Sequence, residues 1–146
     1  DKEGGIKDRT TRGDRAIWYH YTSIGEGVVS IELMHAAGLR PSEKLEDRLH
    51  QAVSLFLRAV DDHKSIAKWA AKRKNSRYKG VQDWSTSWPD NNFAGTWLHI
   101  YPYRYPGHPN SAQLRKKVLV SARSAVTDID LGIGLGCIYN IASSGR

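Results

Sequence analysis

Apolar residues recur at every third or fourth position in the N-terminal half of the chain, the spacing that gathers side chains on one face of a helix. The first such stretch begins at Asp14 and ends at Gly38, and glycine is common just beyond a helix. Its apolar positions are Ile17, Trp18, Tyr21, Ile24, Val28, Ile31 and Met34. The pattern predicts one long helix, weakened in the middle by Gly25 and Gly27.

A second amphipathic stretch opens at Pro41-Ser42, a dipeptide typical of a helix start. Its apolar face comprises Leu45, Leu49, Ala52, Val53, Phe56, Ala59 and Val60. Acidic and basic residues occupy most of the other face, so the stretch predicts a helix with one buried side. Asp61-Asp62 interrupts it, and a third, shorter helix is predicted from Ile66 to Arg73.

The C-terminal half is less regular. Tryptophan, proline and asparagine are concentrated between Gly80 and Pro109, and a helix ended with the help of Pro102 is predicted over 93–103. Helical spacing returns over 111–122, and the glycine-punctuated tail over 129–141 predicts extended structure. Residues 1–11 are polar and are interpreted as a connector. The predicted fold class is all-α, with irregular aromatic-rich connections and an extended tail.

Composition narrows the possible functions. The 146 residues fit one domain and include 22 Lys and Arg against 15 Asp and Glu, a net charge of +7 that favours a polyanionic partner. Cys137 is the single cysteine, which excludes an internal disulfide and a cysteine-based zinc cluster. The six histidines have no metal-ligand spacing, and neither a phosphate loop nor a serine-nucleophile elbow is present. The sequence predicts no metal, no cofactor and no membrane span.

The most specific group of candidate catalytic residues lies at the start of the first predicted helix. Arg15 precedes Tyr19 by four residues, and Arg12 lies about 10 Å before it along the axis, on the same face if the helix begins early enough. Positive charge beside a phenol favours the phenolate and would help it act as a base near neutral pH. The alternative is a solvated helix face with an aromatic edge.

The segment Arg12-x-x-Arg15-Ala-x-x-Tyr19-His20 resembles the catalytic segment of the mannuronate-specific alginate lyases, polysaccharide lyase family 5. Later segments follow in the order of that family over residues 1–140. They are Met34 to Leu39, Leu49-His50-Gln51, Ala59-Val60-Asp61-Asp62, Trp97-Leu98-His99-Ile100-Tyr101 and Leu131 to Tyr139. The chain departs from the family pattern at Tyr21-Thr22 and at His99-Ile100.

The resemblance implies a fold and a missing part. The family fold is an incomplete (α/α) toroid, and residues 1–146 correspond to its C-terminal portion. The family's upstream Asn-Asn-His motif has no counterpart before Arg12, and Asn91-Asn92-Phe93 follows Tyr19 and lacks the histidine. The expectation is therefore a second chain that carries the N-terminal half of the fold. Periplasmic or secreted localisation is implied by the family alone.

The resemblance also implies β-elimination on a 1,4-linked polyuronate. Tyr19 would remove the proton on carbon 5 and then protonate the leaving oxygen 4, while Arg12 would neutralise the substrate carboxylate. One residue can serve both steps only when these groups share a ring face, which favours polymannuronate or glucuronan over polyguluronate. Arg15, His20 and Tyr101 are the candidate substrate-binding residues.

Alternatives remain for these binding residues. His20 is more often a buried hydrogen-bonded residue than a ligand contact. Trp97, Tyr101, Tyr103 and Tyr105 would suit a sugar-stacking platform, but Trp97 and Tyr101 are four apart and equally suit a core, which is favoured for Trp97. For the whole chain, a noncatalytic module that binds acidic polysaccharide is the alternative to the enzyme. Nucleic-acid binding ranks last because the basic residues are dispersed and no recognition motif occurs.

Overall fold

The structure, a computed structural model, describes residues 1–72 and 95–119 together with strand residues 127–128 and 132–133. The α-helices are α1 (Ala16–Ala36), α2 (Glu43–Asp61), α3 (Ala67–Ala70), α4 (Trp97–Arg104) and α5 (Pro109–Leu114). Two 3-10 turns, Gly13–Arg15 and His63–Ile66, precede α1 and α3, and a π-helical turn, Arg115–Leu119, follows α5. The two-residue strands β1 (Thr127–Asp128) and β2 (Gly132–Ile133) pair antiparallel. The described part is thus predominantly helical, and the predicted all-α class is confirmed.

The chain divides into two compact units, Asp1–Thr86 and Ser87–Arg146. In the first unit α1 and α2 pack antiparallel, since Tyr21 near the start of α1 contacts Phe56 near the end of α2, with ring centroids 5.5 Å apart. Leu49, near the start of α2, lies against Gly27 in the second half of α1. The predicted apolar faces of both helices form this interface.

Local signals set the helix ends where the sequence predicts them. The Ser42 hydroxyl accepts a hydrogen bond from the Leu45 amide at 3.3 Å and caps α2. After α1, Gly38 has a φ of 74°, and the amides of Gly38 and Leu39 donate to the carbonyls of His35 and Met34 at 3.0 and 2.8 Å. This paired arrangement is the Schellman motif, for which a residue without a Cβ is preferred.

The third predicted helix is shorter than expected. It consists of the 3-10 turn and the single turn α3, which folds back on the start of α1. Here the core is a tightly buried cluster of small, aliphatic and indole side chains: Ala16, Ile17, Leu55, Ala59, Ile66, Trp69 and Ala70. The start of α1, the second half of α2 and the segment around α3 thus enclose one core.

Residues 1–12, here called the N-terminal strap, are packed rather than a connector, which corrects the prediction for 1–11. Gly4, Gly5 and Thr10 are buried. The Trp69 indole donates a hydrogen bond to the Asp1 carboxylate at 2.7 Å. Glu3 pairs with Lys68, and its backbone carbonyl accepts a hydrogen bond from the Arg58 guanidinium at 3.0 Å. The strap has few apolar residues, so hydrophobic periodicity gave no sign of its packing.

In the second unit, α4 begins at Trp97 and continues two residues past Pro102. Proline cannot donate to the preceding turn, and the helix ends within one turn of it, as predicted. The carbonyl of Pro102 accepts a hydrogen bond from the Arg115 guanidinium at 2.9 Å. His108 caps α5, its Nδ1 accepting from the Asn110 amide at 3.1 Å. Most of the predicted extended tail lies outside the described residues.

Candidate functional site

The structure places Arg12 directly against Tyr19. The guanidinium carbon lies 4.2 Å from the centroid of the Tyr19 ring, over its face. Such a cation–π contact contributes about 0.5 to 1 kcal/mol at a partly exposed site. Both side chains are half-buried, and the Trp18 and Tyr19 rings are nearly perpendicular, with centroids 4.7 Å apart. The two residues assigned to catalysis from the sequence therefore form one surface pair.

Arg12 reaches Tyr19 by a route that the helical spacing does not predict. Helical spacing would bring Arg12 to Tyr19 only if the helix began before Asp14, but α1 begins at Ala16, and Arg12 has φ −103° and ψ 36°, outside the helical region. Gly13, with φ 56°, redirects the chain into the 3-10 turn before α1. Arg12 thus returns to α1 from the strap instead of lying two turns earlier on the same helix.

A backbone contact orients the Arg12 side chain. Its Nε donates to the carbonyl of Asp8 at 2.8 Å. Asp8 has a φ of 61°, the left-handed conformation that aspartate tolerates better than most residues. The guanidinium therefore lies between a carbonyl of the strap and an aromatic face of α1. Asp8 could not be identified from the sequence, because an aspartate before Arg9-Thr10 is compatible with a turn but does not by itself indicate one.

His20 does not lie at this surface, which corrects its assignment to substrate binding. Its side chain is 0 % exposed. Nε2 lies 2.9 Å from the Ala52 carbonyl and Nδ1 lies 3.0 Å from the Thr10 hydroxyl, while that hydroxyl accepts from the Ile6 amide at 2.7 Å. A carbonyl can only accept, so Nε2 carries the proton and Nδ1 accepts from Thr10. Burial lowers the pKa of His20 from 6.5 to about 4, and the ring is neutral.

Arg15 is exposed at the end of the 3-10 turn before α1. It therefore remains accessible to a ligand near the Arg12–Tyr19 pair. Residues 7–15 carry four cationic side chains, Lys7, Arg9, Arg12 and Arg15, against two carboxylates. Glu26 of α1 pairs with Arg9 at 3.5 Å. The excess of cations gives this end of the unit a field that attracts anions.

Tyr101 lies in the second unit and is buried, which corrects its assignment to a sugar-binding surface. It is 0 % exposed, and its hydroxyl accepts from Asn110 Nδ2 at 3.3 Å and donates to His108 Nδ1 at 3.3 Å. Burial raises the pKa of the Tyr101 phenol. Trp97 is buried as well, which confirms its expected place in the core. Of the proposed platform, Tyr103 is exposed and Tyr105 lies 5.1 Å from Tyr101 between ring centroids.

Within the described ranges, no group of three or more His, Cys, Asp or Glu side chains could hold a metal ion. Over the same ranges, every helix is too short or too polar to cross a membrane. Comparisons with models of protein families, with curated proteins and with solved structures yield no match to this chain.

Proposed function

We propose that this chain is the C-terminal portion of a polysaccharide lyase that cleaves a 1,4-linked polyuronate such as polymannuronate or glucuronan. The observation that carries the proposal is the contact of the Arg12 guanidinium with the Tyr19 ring at 4.2 Å. These two residues belong to the segment that resembles the catalytic segment of polysaccharide lyase family 5. Their pairing on a partly exposed, cationic surface supports a site for an acidic sugar.

The proposed reaction is a β-elimination. The Tyr19 phenolate takes the proton on carbon 5, the electron pair forms a double bond between carbons 4 and 5, and the bond from carbon 4 to the glycosidic oxygen breaks. The phenol then returns its proton to that oxygen, so Tyr19 ends as it began. Charge builds up on the substrate carboxylate during proton removal, and a guanidinium beside it stabilises the transition state by about 3 kcal/mol. Arg12 has this role, and Arg15 binds a neighbouring carboxylate.

The proposal includes groups outside this chain. The Asn-Asn-His residues of the lyase segment would come from the N-terminal portion of an incomplete (α/α) toroid, on a second chain or elsewhere in a longer protein. The assembled protein would be periplasmic or secreted, where acidic polysaccharides occur. Neither a metal nor a cofactor takes part in this mechanism.

The test is Tyr19→Phe, assayed on polymannuronate and glucuronan by the ultraviolet absorbance of the unsaturated uronate product. The protein is assayed together with any chain that completes the fold. Loss of at least a thousandfold in kcat is expected because the substitution removes the proton carrier while keeping the ring that Arg12 contacts. Polymer binding should change less than about threefold. Tyr103→Phe, which alters an exposed tyrosine of the second unit, is the matched control.

A Tyr19→Phe protein that retains wild-type turnover would disprove the assigned mechanism. Polymer binding by the wild-type protein with no unsaturated product would instead favour a noncatalytic module for acidic polysaccharide.

A further inference from the structure

Tyr19 and His20 are consecutive residues of α1, and each contacts the strap. On the outer side, the Tyr19 ring lies under the guanidinium of Arg12. On the inner side, the His20 imidazole meets the Thr10 hydroxyl at 3.0 Å. Two adjacent side chains of one helix therefore hold residues only two positions apart in the strap. The arrangement links a buried hydrogen bond to the geometry of the surface pair.

The strap segment that ends at Thr10 is a closed turn. The amides of Arg9 and Thr10 donate to the Ile6 carbonyl at 3.3 and 2.9 Å, and the Ile6 amide donates to the Thr10 hydroxyl at 2.7 Å. Asp8 lies within this turn, and its carbonyl is the group that accepts from Arg12 Nε. The position of that carbonyl therefore depends on the turn, and the turn depends on Thr10.

The Thr10 hydroxyl can hold the turn in place because it is buried and both accepts and donates a hydrogen bond. It is 0 % exposed, accepts from the Ile6 amide and donates to the neutral imidazole of His20. His20 is itself fixed, since its Nε2–H donates to the Ala52 carbonyl in the middle of α2. The chain of hydrogen bonds therefore begins on a rigid helix and ends on the turn that carries Asp8.

We infer that Thr10 is a positioning residue for the candidate site: through its buried bond to His20 it holds the turn whose Asp8 carbonyl orients Arg12 over Tyr19. The effect of Thr10 on turnover rests on the proposed lyase function, whereas its effect on the position of Arg12 does not. Thr10 touches no substrate. It acts by fixing the guanidinium where a carboxylate can meet both Arg12 and Tyr19.

The first experiment compares Thr10→Val with Thr10→Ser by NMR of the Arg12 side chain. In the wild-type protein the aromatic ring current shifts the resonances of Arg12 upfield. Valine has the shape of threonine but no hydroxyl, so the Arg12 resonances are expected to move toward random-coil positions. Serine keeps the hydroxyl, and the resonances are expected to stay. A purely structural role for Thr10 would lower stability without moving Arg12 in the folded protein.

A second pair of variants covers the case in which Thr10→Val fails to fold. Asp8 is exposed, so its replacement leaves the buried bonds of Thr10 and His20 in place. Asp8→Val is expected to displace Arg12 because a β-branched residue does not adopt a φ of 61° readily, and Asp8→Gly is expected to keep it in place. Unchanged Arg12 resonances in a folded Thr10→Val protein would overturn the inference, and where Thr10→Val does not fold, unchanged resonances in Asp8→Val would overturn it.

Turnover provides an independent readout. With polyuronate as substrate, kcat is expected to fall about ten- to a hundredfold in Thr10→Val and less than threefold in Thr10→Ser, since misplacement by about 1 Å can cost two orders of magnitude. Wild-type turnover in a Thr10→Val protein whose Arg12 has moved would overturn the link to catalysis. A wild-type protein with no lyase activity would disprove the proposed function, and the NMR comparison would still decide the positioning role.

Discussion

At the residue scale, the adjacent side chains of Tyr19 and His20 lie in different environments and therefore have different chemical roles. Tyr19 is half-buried beside a guanidinium, and His20 is fully buried between two helices and the strap. The sequence makes His20, adjacent to a candidate base, a candidate for substrate binding, yet its two nitrogens serve as one donor and one acceptor inside the protein. Burial of a polar ring is favourable only when both nitrogens are hydrogen-bonded, and here both are.

Tyr101 gives a residue-scale prediction for the second unit. Tyr101→Phe removes a buried hydroxyl that bonds both Asn110 and His108, so each of these loses a partner. The expected decrease in the free energy of unfolding is about 1 to 2 kcal/mol, measured by urea denaturation. Tyr103→Phe, at a position 55 % exposed, should change it by less than about 0.5 kcal/mol. Equal effects of the two substitutions would contradict the buried role of Tyr101.

At the element scale, α1 combines a long apolar face with two glycines that weaken it. Antiparallel packing on α2 compensates for this, because Ile24, Val28 and Ile31 are almost completely buried along the shared face. Most helical stability in proteins comes from such packing rather than from intrinsic propensity. The glycines are therefore tolerated without being required for the helix itself.

Gly27→Ala is expected to stabilise the protein by up to about 1 kcal/mol in urea denaturation, because alanine is the better helix former. A Cβ at this position would lie 3.7 Å from Leu49 Cδ1, which is an ordinary van der Waals contact. Gly5→Ala is the contrasting variant, with an expected loss of about 2 kcal/mol, because its Cβ would overlap the Trp69 indole nitrogen that bonds Asp1. A destabilising Gly27→Ala would show that the helices must approach more closely than the structure has them.

At the scale of the whole molecule, the buried His20 links stability to pH. Desolvation lowers its pKa from 6.5 to about 4, with the nearby Arg58 cation acting in the same direction and the bond to Ala52 against it. Between these pH values the unfolded chain binds a proton that the folded protein does not. Stability is therefore complete above about pH 6.5 and falls as the pH drops toward 4.

The expected decrease over this range is of order 3 kcal/mol, from the difference between the two pKa values. His20→Gln removes the titrating group and retains an amide that can donate to the Ala52 carbonyl. Its unfolding free energy, measured by denaturant titration at several pH values, should vary less between pH 6.5 and 4 than that of the wild type. Carboxylates titrate alike in both proteins, so parallel pH profiles would show that His20 is not the source of the dependence.

The sequence by itself determined the elements whose signals are local. The 3.6-residue periodicity of α1 and α2, the Ser42 cap and the Gly38 terminus act within one turn of chain, so their bounds could be predicted closely. The pairing of Arg12 with Tyr19 was also anticipated, although for the wrong geometrical reason. Local patterns decide where a helix forms and which face is apolar, but they do not say which polar residues the folded core will enclose.

Only the tertiary structure decided the rest of the site. The strap is held by side chains of α1, α2 and α3 that lie 7 to 68 positions away in sequence, among them His20 and Trp69. Its packing depends on hydrogen bonds and close backbone approach, which leave no periodic apolar pattern. The same long-range contacts bury His20, and packing within the second unit buries Tyr101. Burial depends on how the elements pack together. Residue type and spacing therefore indicated these side chains as candidate site residues, whereas the fold buries them in the core.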